Sequence, residues 1–150
     1  GTLGIDAPYV LVDESVPIVG ANVARDGTKG MRVVRAAQPV RLAYVTSGIY
    51  DDGWSGERFT YRRFGCDGGT LAVRLAQDPN LVSVPQRVTA ASERTRGTAV
   101  VASEETVLEV PLHTDDGLCD VSFSVTPSAV PGGGDPRRLG VRVNGFRYRP

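Results

Sequence analysis

The chain has 150 residues, with 17 basic and 17 acidic side chains and one histidine, so its formal net charge is zero. This length suits one domain with a core of its own; residues 1–150 are predicted to form that domain, with residues 1–7 expected to be disordered. The balanced charge argues against nucleic acid as a partner, because binding to phosphates needs a basic excess on one surface. No apolar run approaches the roughly 18 residues that span a bilayer, so no membrane span is expected in this chain.

Short apolar runs that alternate with polar residues follow one another along the chain, and helical periodicity is nearly absent. In chain order, strands are predicted near residues 9–12, 31–35, 41–45, 59–61, 71–75, 87–91, 98–102, 108–112, 121–125 and 139–143. Asp-Gly pairs mark turns at Asp26-Gly27, Asp67-Gly68 and Asp116-Gly117. About ten short strands with such turns predict an all-β fold, an antiparallel two-sheet β-sandwich of the jelly-roll type.

The last predicted strand changes its alternation at Asn144-Gly145. Val141 and Val143 are apolar at odd positions, whereas Phe146 and Tyr148 are apolar at even positions. Two interpretations are open: a β-bulge that re-aims Phe146, or a hairpin turn at Asn144-Gly145. Because bulges often lie beside functional surfaces, Asn144 is included among the candidate ligand-binding residues.

Cys66 and Cys119 are the only cysteines, and each lies at the edge of a predicted strand beside a turn. A disulfide between them would contribute on the order of 4 kcal/mol in the chain-entropy account. The alternative is two free, half-buried thiols, which a cytosolic protein also carries. The similar placement of the two residues favours the disulfide, and with it an oxidising, extracytoplasmic location.

The sequence contains no recognisable catalytic motif, and no enzyme activity is predicted. His113 is the only histidine and no serine lies in a Gly-x-Ser-x-Gly elbow, so a nucleophilic triad is not supported. Zinc-site spacings and phosphate-binding loops are absent from the sequence too.

Paired acids are the remaining catalytic candidates: Asp13-Glu14, Asp51-Asp52, Glu104-Glu105 and Asp115-Asp116. Neighbouring acids on a strand point to opposite faces, so a glycosidase pair would have to assemble across strands. Loop acids are mostly turn formers, and they are also the hard oxygen ligands that a structural calcium ion takes. No other cofactor is expected.

The segment Tyr50-Asp51-Asp52-Gly53-Trp54 is the most informative one, because it places the only tryptophan on a turn. An aromatic on a loop beside carboxylates offers a flat apolar surface for a sugar ring and acceptors for its hydroxyls. The predicted ligand-binding residues are therefore Tyr50, Asp52, Trp54 and, in addition, Asn144. In the alternative interpretations, Trp54 folds back over the end of the sandwich, and arginines such as Arg142 and Arg147 mark a surface for an anionic glycan or a partner protein.

Two segments resemble a known family. Residues 48–54, Gly-Ile-Tyr-Asp-Asp-Gly-Trp, look like the Gly-x-Tyr-x-Asp-Gly-Trp segment of jelly-roll domains attached to bacterial, often actinobacterial, cell-envelope glycosyltransferases and related membrane proteins. Residues 135–141, Asp-Pro-Arg-Arg-Leu-Gly-Val, are similar to the Asp-x-Arg-x-Leu-Gly-Val segment that opens their last strand. The resemblance covers residues 40–148 and implies a non-catalytic, extracytoplasmic module that binds glycans. The resemblance implies that Asp135 and Arg137 connect the start of the last strand to a neighbouring loop.

The sequence therefore predicts an extracytoplasmic β-sandwich that binds a glycan, with a larger membrane-bound enzyme as its expected context. One alternative is a structural or protein-interaction domain that docks through an arginine-rich face. A buried Trp54 without a groove beside it would favour that alternative. The other is a small hydrolase, which needs two acids about 5–10 Å apart in a cleft.

Overall fold

The computed structural model of the protein describes residues 2–102 and 105–150. This part of the chain is all-β, which confirms the predicted fold class. No helix with the length and apolarity to cross a bilayer occurs within those two ranges. The strands are β1 Tyr9–Asp13, β2 Gly20–Asp26, β3 Met31–Ala36, β4 Tyr44–Ile49, β5 Ser55–Phe64, β6 Gly69–Ala76, β7 Gln86–Ala91, β8 Arg96–Val101, β9 Thr106–Leu112, β10 Leu118–Thr126 and β11 Arg142–Arg149.

The chain divides into two compact units. The first contains Gly1–Val45 and Arg63–Gly65, and its sheet has the order β1-β3-β2. The second contains Thr46–Arg62 and Cys66–Pro150, which form most of a five-stranded sheet, β4-β5-β10-β7-β8, and all of a three-stranded sheet, β11-β6-β9. The single domain over residues 1–150 stays a prediction, since the chain divides into two compact units.

The first unit has a small core on one side of its sheet. Val34 and Val40 are fully buried, and Val10 packs against them. Side chains alternate along a strand, so Tyr9 and Leu11 point to the opposite face, where they are 55% and 65% exposed.

Two segments of the first unit are to be compared with the predictions: strand β2 and residues 1–7. Strand β2 was not predicted, because all seven of its residues are exposed and no apolar alternation marks it. Disorder of residues 1–7 stays a prediction, although the amide of Leu3 donates to the carbonyl of Val40 at 2.9 Å.

The two sheets of the second unit follow a jelly-roll order. From β5 onward, successive strands alternate between the two sheets except for the paired strands β7 and β8. Strands β5, β7, β8 and β10 therefore form the block β5-β10-β7-β8, while β6, β9 and β11 form β11-β6-β9. In a jelly roll the first strand lies beside the last, but here β4 pairs with β5 instead. A single bridge between Trp54 and Arg142 still joins the start of β5 to β11. The turn before β5 therefore lies where the two sheets meet.

Alternating side chains build the core between these sheets. Strand β10 alternates exposed and buried residues along its whole length. Its Phe123 stacks on Phe59 of β5, with the ring centroids 4.4 Å apart. Tyr61 of β5 meets Phe146 of β11 at 5.1 Å, a contact between the two sheets. Burying side chains of this size stabilises the fold by about 1.5–3 kcal/mol each.

The bulge predicted in the last strand is confirmed. The register between β11 and β6 shifts between Val143 and Gly145, and β11 continues to Arg149 without a turn. The hairpin interpretation at Asn144-Gly145 is therefore wrong. The extra residue turns Phe146 into the contact with Tyr61.

The predicted disulfide is also confirmed. Cys66 and Cys119 are bonded and both are fully buried. Cys66 follows β5 and Cys119 lies in β10, so the bond ties two neighbouring strands of the five-stranded sheet.

We expect the double variant Cys66→Ala/Cys119→Ala to lose about 4 kcal/mol of unfolding free energy, because the bond closes a long loop. The two cysteines are 53 residues apart in sequence. Urea unfolding at neutral pH measures the loss, and the wild type in reducing agent, which keeps both sulfur atoms, should lose a similar amount. A change below about 1 kcal/mol in both samples would contradict this assignment of the stabilisation.

Candidate functional site

The segment Tyr50–Trp54 forms the turn between β4 and β5. The amide of Gly53 donates to the carbonyl of Tyr50, and the amide of Tyr50 donates to the carbonyl of Trp54, both at 2.8 Å. Gly53 has a φ of 86°, in the region that a residue with a Cβ rarely adopts. The turn predicted from Asp52-Gly53 is therefore confirmed. We call Tyr50–Trp54 the Tyr50 loop.

Backbone hydrogen bonds fasten the Tyr50 loop to the start of β11. The amide of Val143 donates to the carbonyl of Gly53 at 2.9 Å. The amide of Ser55 donates to the carbonyl of Val141, and the amide of Gly140 to the carbonyl of Ser55, both at 2.8 Å. The loop therefore has a fixed position relative to residues 140–143.

Two buried polar side chains reinforce this junction. The hydroxyl oxygen of Ser55 accepts from the amide of Val141 at 3.0 Å. The side-chain amide of Gln86, which is 1% exposed, donates to the carbonyls of Pro127 and Gly140, both at 2.8 Å. These bonds satisfy the buried amide of Val141 and the buried carbonyl of Gly140.

Sequence reasoning missed both residues. The available signal was a glutamine in phase with the buried Val88 and Ala90 of β7. A polar side chain at an inward position needs a partner, so Gln86 marks a place where backbone is left outside the strand pairing.

Arg137 organises the side chains around the Tyr50 loop. Its Nη1 lies 2.9 Å from Oδ2 of Asp52, and its Nη2 lies 2.8 Å from Oδ2 of Asp135. Its guanidinium carbon is 4.8 Å from the centroid of the Tyr50 ring. One cation thus contacts two carboxylates and one aromatic face, which confirms that Asp135 and Arg137 tie the approach to the last strand to a neighbouring loop.

These contacts set the ionisation of the cluster. Hydrogen bonds from Arg137 are the largest cause that lowers the pKa of Asp52 and of Asp135 below the ordinary carboxyl range. The carboxylates, Asp135 first, raise the pKa of Arg137 further above its ordinary value. All three groups are charged at neutral pH.

The structure brings Tyr50, Asp52 and Trp54 together but engages Asn144 elsewhere. Tyr50 is 39% exposed, whereas Trp54 is half-buried with the Arg142 guanidinium carbon 5.8 Å from its ring centroid. Asn144 lies in the bulge of β11, and its side chain donates to a carboxylate oxygen of Glu105 at 2.7 Å. The ligand-binding roles of all four residues stay predictions.

None of these four residues lines either of two cavities of the second unit. One, of about 470 Å³, is lined by residues that include Ser92, Glu93, Arg94, His113 and Asp115. The other, of about 490 Å³, lies on the outward face of the three-stranded sheet.

The two-carboxylate hydrolase and the calcium site stay predictions. In the first cavity, Asp120 is bound by Arg62 through two hydrogen bonds of 2.8 and 3.0 Å. Nδ1 of His113 shares a hydrogen bond of 2.9 Å with Thr95. Within 2–102 and 105–150, no three His, Cys, Asp or Glu side chains are grouped to hold a metal ion. Glu104, named among the paired acids, lies outside those ranges.

Acid titration tests the ionisation of the Arg137 cluster. Because folding lowers the pKa of Asp52 and Asp135, their contribution to stability is present above the ordinary carboxyl pKa of about 3.9 and is lost as the pH falls below it. The carboxyl-carbon NMR shifts of both residues should therefore titrate below that value. In Arg137→Gln both titrations should move up toward it. Titration of the wild-type carboxyls at or above about 3.9 would contradict the cluster.

We expect Gln86→Leu to cost about 1–3 kcal/mol of unfolding free energy, because it leaves the buried carbonyl of Gly140 without its donor. Urea unfolding measures the loss. Arg87→Leu, at an exposed position of the same strand, should change stability by no more than about 0.5 kcal/mol. Equal effects of the two variants would show that Gln86 does not hold this junction.

Comparisons with protein-family models, curated proteins and solved structures give no match for this chain. The resemblance to jelly-roll domains of cell-envelope enzymes stays a prediction.

Proposed function

We propose that this protein is a non-catalytic module that binds a glycan outside the cytoplasm, and that the Tyr50 loop meets the ligand. The observation that carries the proposal is the arrangement around Arg137, which holds an exposed tyrosine ring and a carboxylate side by side. A flat apolar surface next to fixed hydrogen-bonding groups is what a sugar ring requires.

Tyr50 supplies the flat surface in this proposal. Its ring is 39% exposed even though Arg137 lies over one face, so a sugar ring can approach the rest of it. The stacking role passes from Trp54 to Tyr50, because Trp54 is half-buried beneath Arg142. Trp54 then borders the site.

Asp52 and Arg137 supply the hydrogen bonds. Arg137 uses Oδ2 of Asp52, while Oδ1 accepts from the amide of Trp54 at 3.5 Å and keeps a second lone pair for a sugar hydroxyl. The side chain of Arg137 is 32% exposed and can donate. Since the salt bridges already fix both groups, little side-chain entropy is lost when a ligand binds.

The buried disulfide supports the proposed location. Disulfides persist in oxidising compartments and are rare in the cytosol of most organisms. Attachment to a larger, actinobacterial membrane-bound enzyme of the cell envelope rests on the sequence resemblance alone.

A protein-interaction domain is the second candidate. It is favoured by the arginines over both aromatic rings, Arg137 over Tyr50 and Arg142 over Trp54. Guanidinium groups stacked on aromatics are common at protein interfaces.

A titration with neutral pentose and hexose oligosaccharides separates the two candidates. Trp54 fluorescence and backbone NMR shifts at residues 50–54 and 137 report binding, because Trp54 is the only tryptophan. Tyr50→Ala should weaken binding about five- to tenfold, the size expected for a lost aromatic stacking contact.

Tyr9→Ala is the matched control, since Tyr9 is also an exposed tyrosine but lies in the first unit. It should leave the affinity unchanged. If no oligosaccharide shifts residues 50–54, the glycan proposal fails and the interaction domain becomes the better account.

A further inference from the structure

The cavity of about 490 Å³ lies on the outward face of the sheet β11-β6-β9. Each strand gives it residues that point to the same side: Ala72 and Arg74 from β6, Val107 and Glu109 from β9, and Arg147 and Arg149 from β11. The register confirms this, because Ala72 lies between Arg147 on one side and Glu109 on the other. We call this cavity the arginine groove.

The arginine groove carries a net positive charge, although the formal net charge of the whole chain is zero. Three arginines and one glutamate line it, which leaves two net positive charges. Arg149 donates to Glu109 diagonally over the central strand, so this pair is neutralised. Arg74 uses one Nη to donate to the carbonyl of Asn144 at 3.0 Å, which holds its side chain in place. Arg147 makes no salt bridge with a described residue.

The floor of the arginine groove is low and apolar. Ala72 is the central residue; it is only 8% exposed, because its small side chain lies at the bottom of the groove between longer side chains. Val107, at one side, is 52% exposed and supplies apolar surface. A ligand here meets guanidinium groups and an apolar surface together.

We propose that the arginine groove is a second binding site, independent of the Tyr50 loop, for a small acidic ligand whose carboxylate or phosphate group pairs with Arg74 and Arg147. The apolar part of that ligand packs against the exposed Val107, above the buried Ala72. Guanidinium groups bind both oxyanions through paired hydrogen bonds, and the volume falls in the range of small-molecule sites. An acidic sugar and a sugar phosphate share this chemistry.

NMR titrations with glucuronic acid, glucose 1-phosphate and glucose test the proposal. One or both anions should shift the amides of residues 70–74, 107–109 and 145–149, and neutral glucose should not. The anion with the lower Kd identifies the source of the oxyanion. Raising sodium chloride from about 50 to 200 mM should weaken binding several-fold, since exposed charges are screened at this ionic strength.

Two variants report on separate parts of the groove. Arg147→Gln should weaken the preferred anion about tenfold, the size expected for a lost charge-assisted hydrogen bond. Ala72→Phe fills the floor while keeping every charge, and it should abolish the groove shifts. Arg96→Gln, at an exposed arginine of β8, is the matched control and should bind like the wild type.

The proposal is overturned if neither anion shifts the groove amides, if glucose shifts them as much, or if Arg147→Gln binds like the wild type. If Ala72→Phe does not fold, Arg147→Gln and the salt dependence decide the question. None of these outcomes depends on residues 50–54, so failure here leaves the glycan proposal for the Tyr50 loop standing.

Discussion

The hydrogen bonds between residues 53–55 and 140–143 join the start of β5 to the start of β11, strands that belong to different sheets. Because β4 pairs with β5 rather than with the last strand, this short junction closes the sandwich at one end. The Tyr50 loop takes its position from it. So does Arg142, whose guanidinium reaches the Trp54 ring. The segment that carries Arg137 leads into the junction, which brings its guanidinium to Asp52 and Tyr50.

The second unit thus presents two surfaces with different chemistry. Around Arg137 one cation is bound by two carboxylates, so the side chains are fixed and the cluster carries one net negative charge. On the outward face of the three-stranded sheet, guanidinium groups outnumber carboxylates and surround a small residue. The same side-chain type therefore serves to stiffen a loop in one place and to leave charge available in another. A neutral total charge conceals this difference.

Local patterns predicted most of the second unit. The apolar alternation in β6, β9 and β10 and the turn at Asp52-Gly53 depend on residues that are close in sequence. The disulfide was predicted because each cysteine lies at the edge of a strand beside a turn. Strand β4 lies at Tyr44–Ile49, later than the predicted residues 41–45. The prediction stopped before Gly48 because glycine is a typical loop residue. Its φ of 75° and its close approach to the backbone of Arg58 require glycine within the pairing. Tertiary partners such as Arg137 for Asp52, or Gln86 for Gly140, are distant in sequence and carry no local signal.

The bulge in β11 has a consequence for association between chains. Strand β11 is an edge of its sheet, and an edge strand exposes backbone groups on which a strand from another molecule can pair. The extra residue interrupts the regular spacing of those groups, and Arg142 and Arg147 place like charges along the same strand. Both features hinder the pairing of copies edge to edge, and so disfavour aggregation through this edge of the sheet.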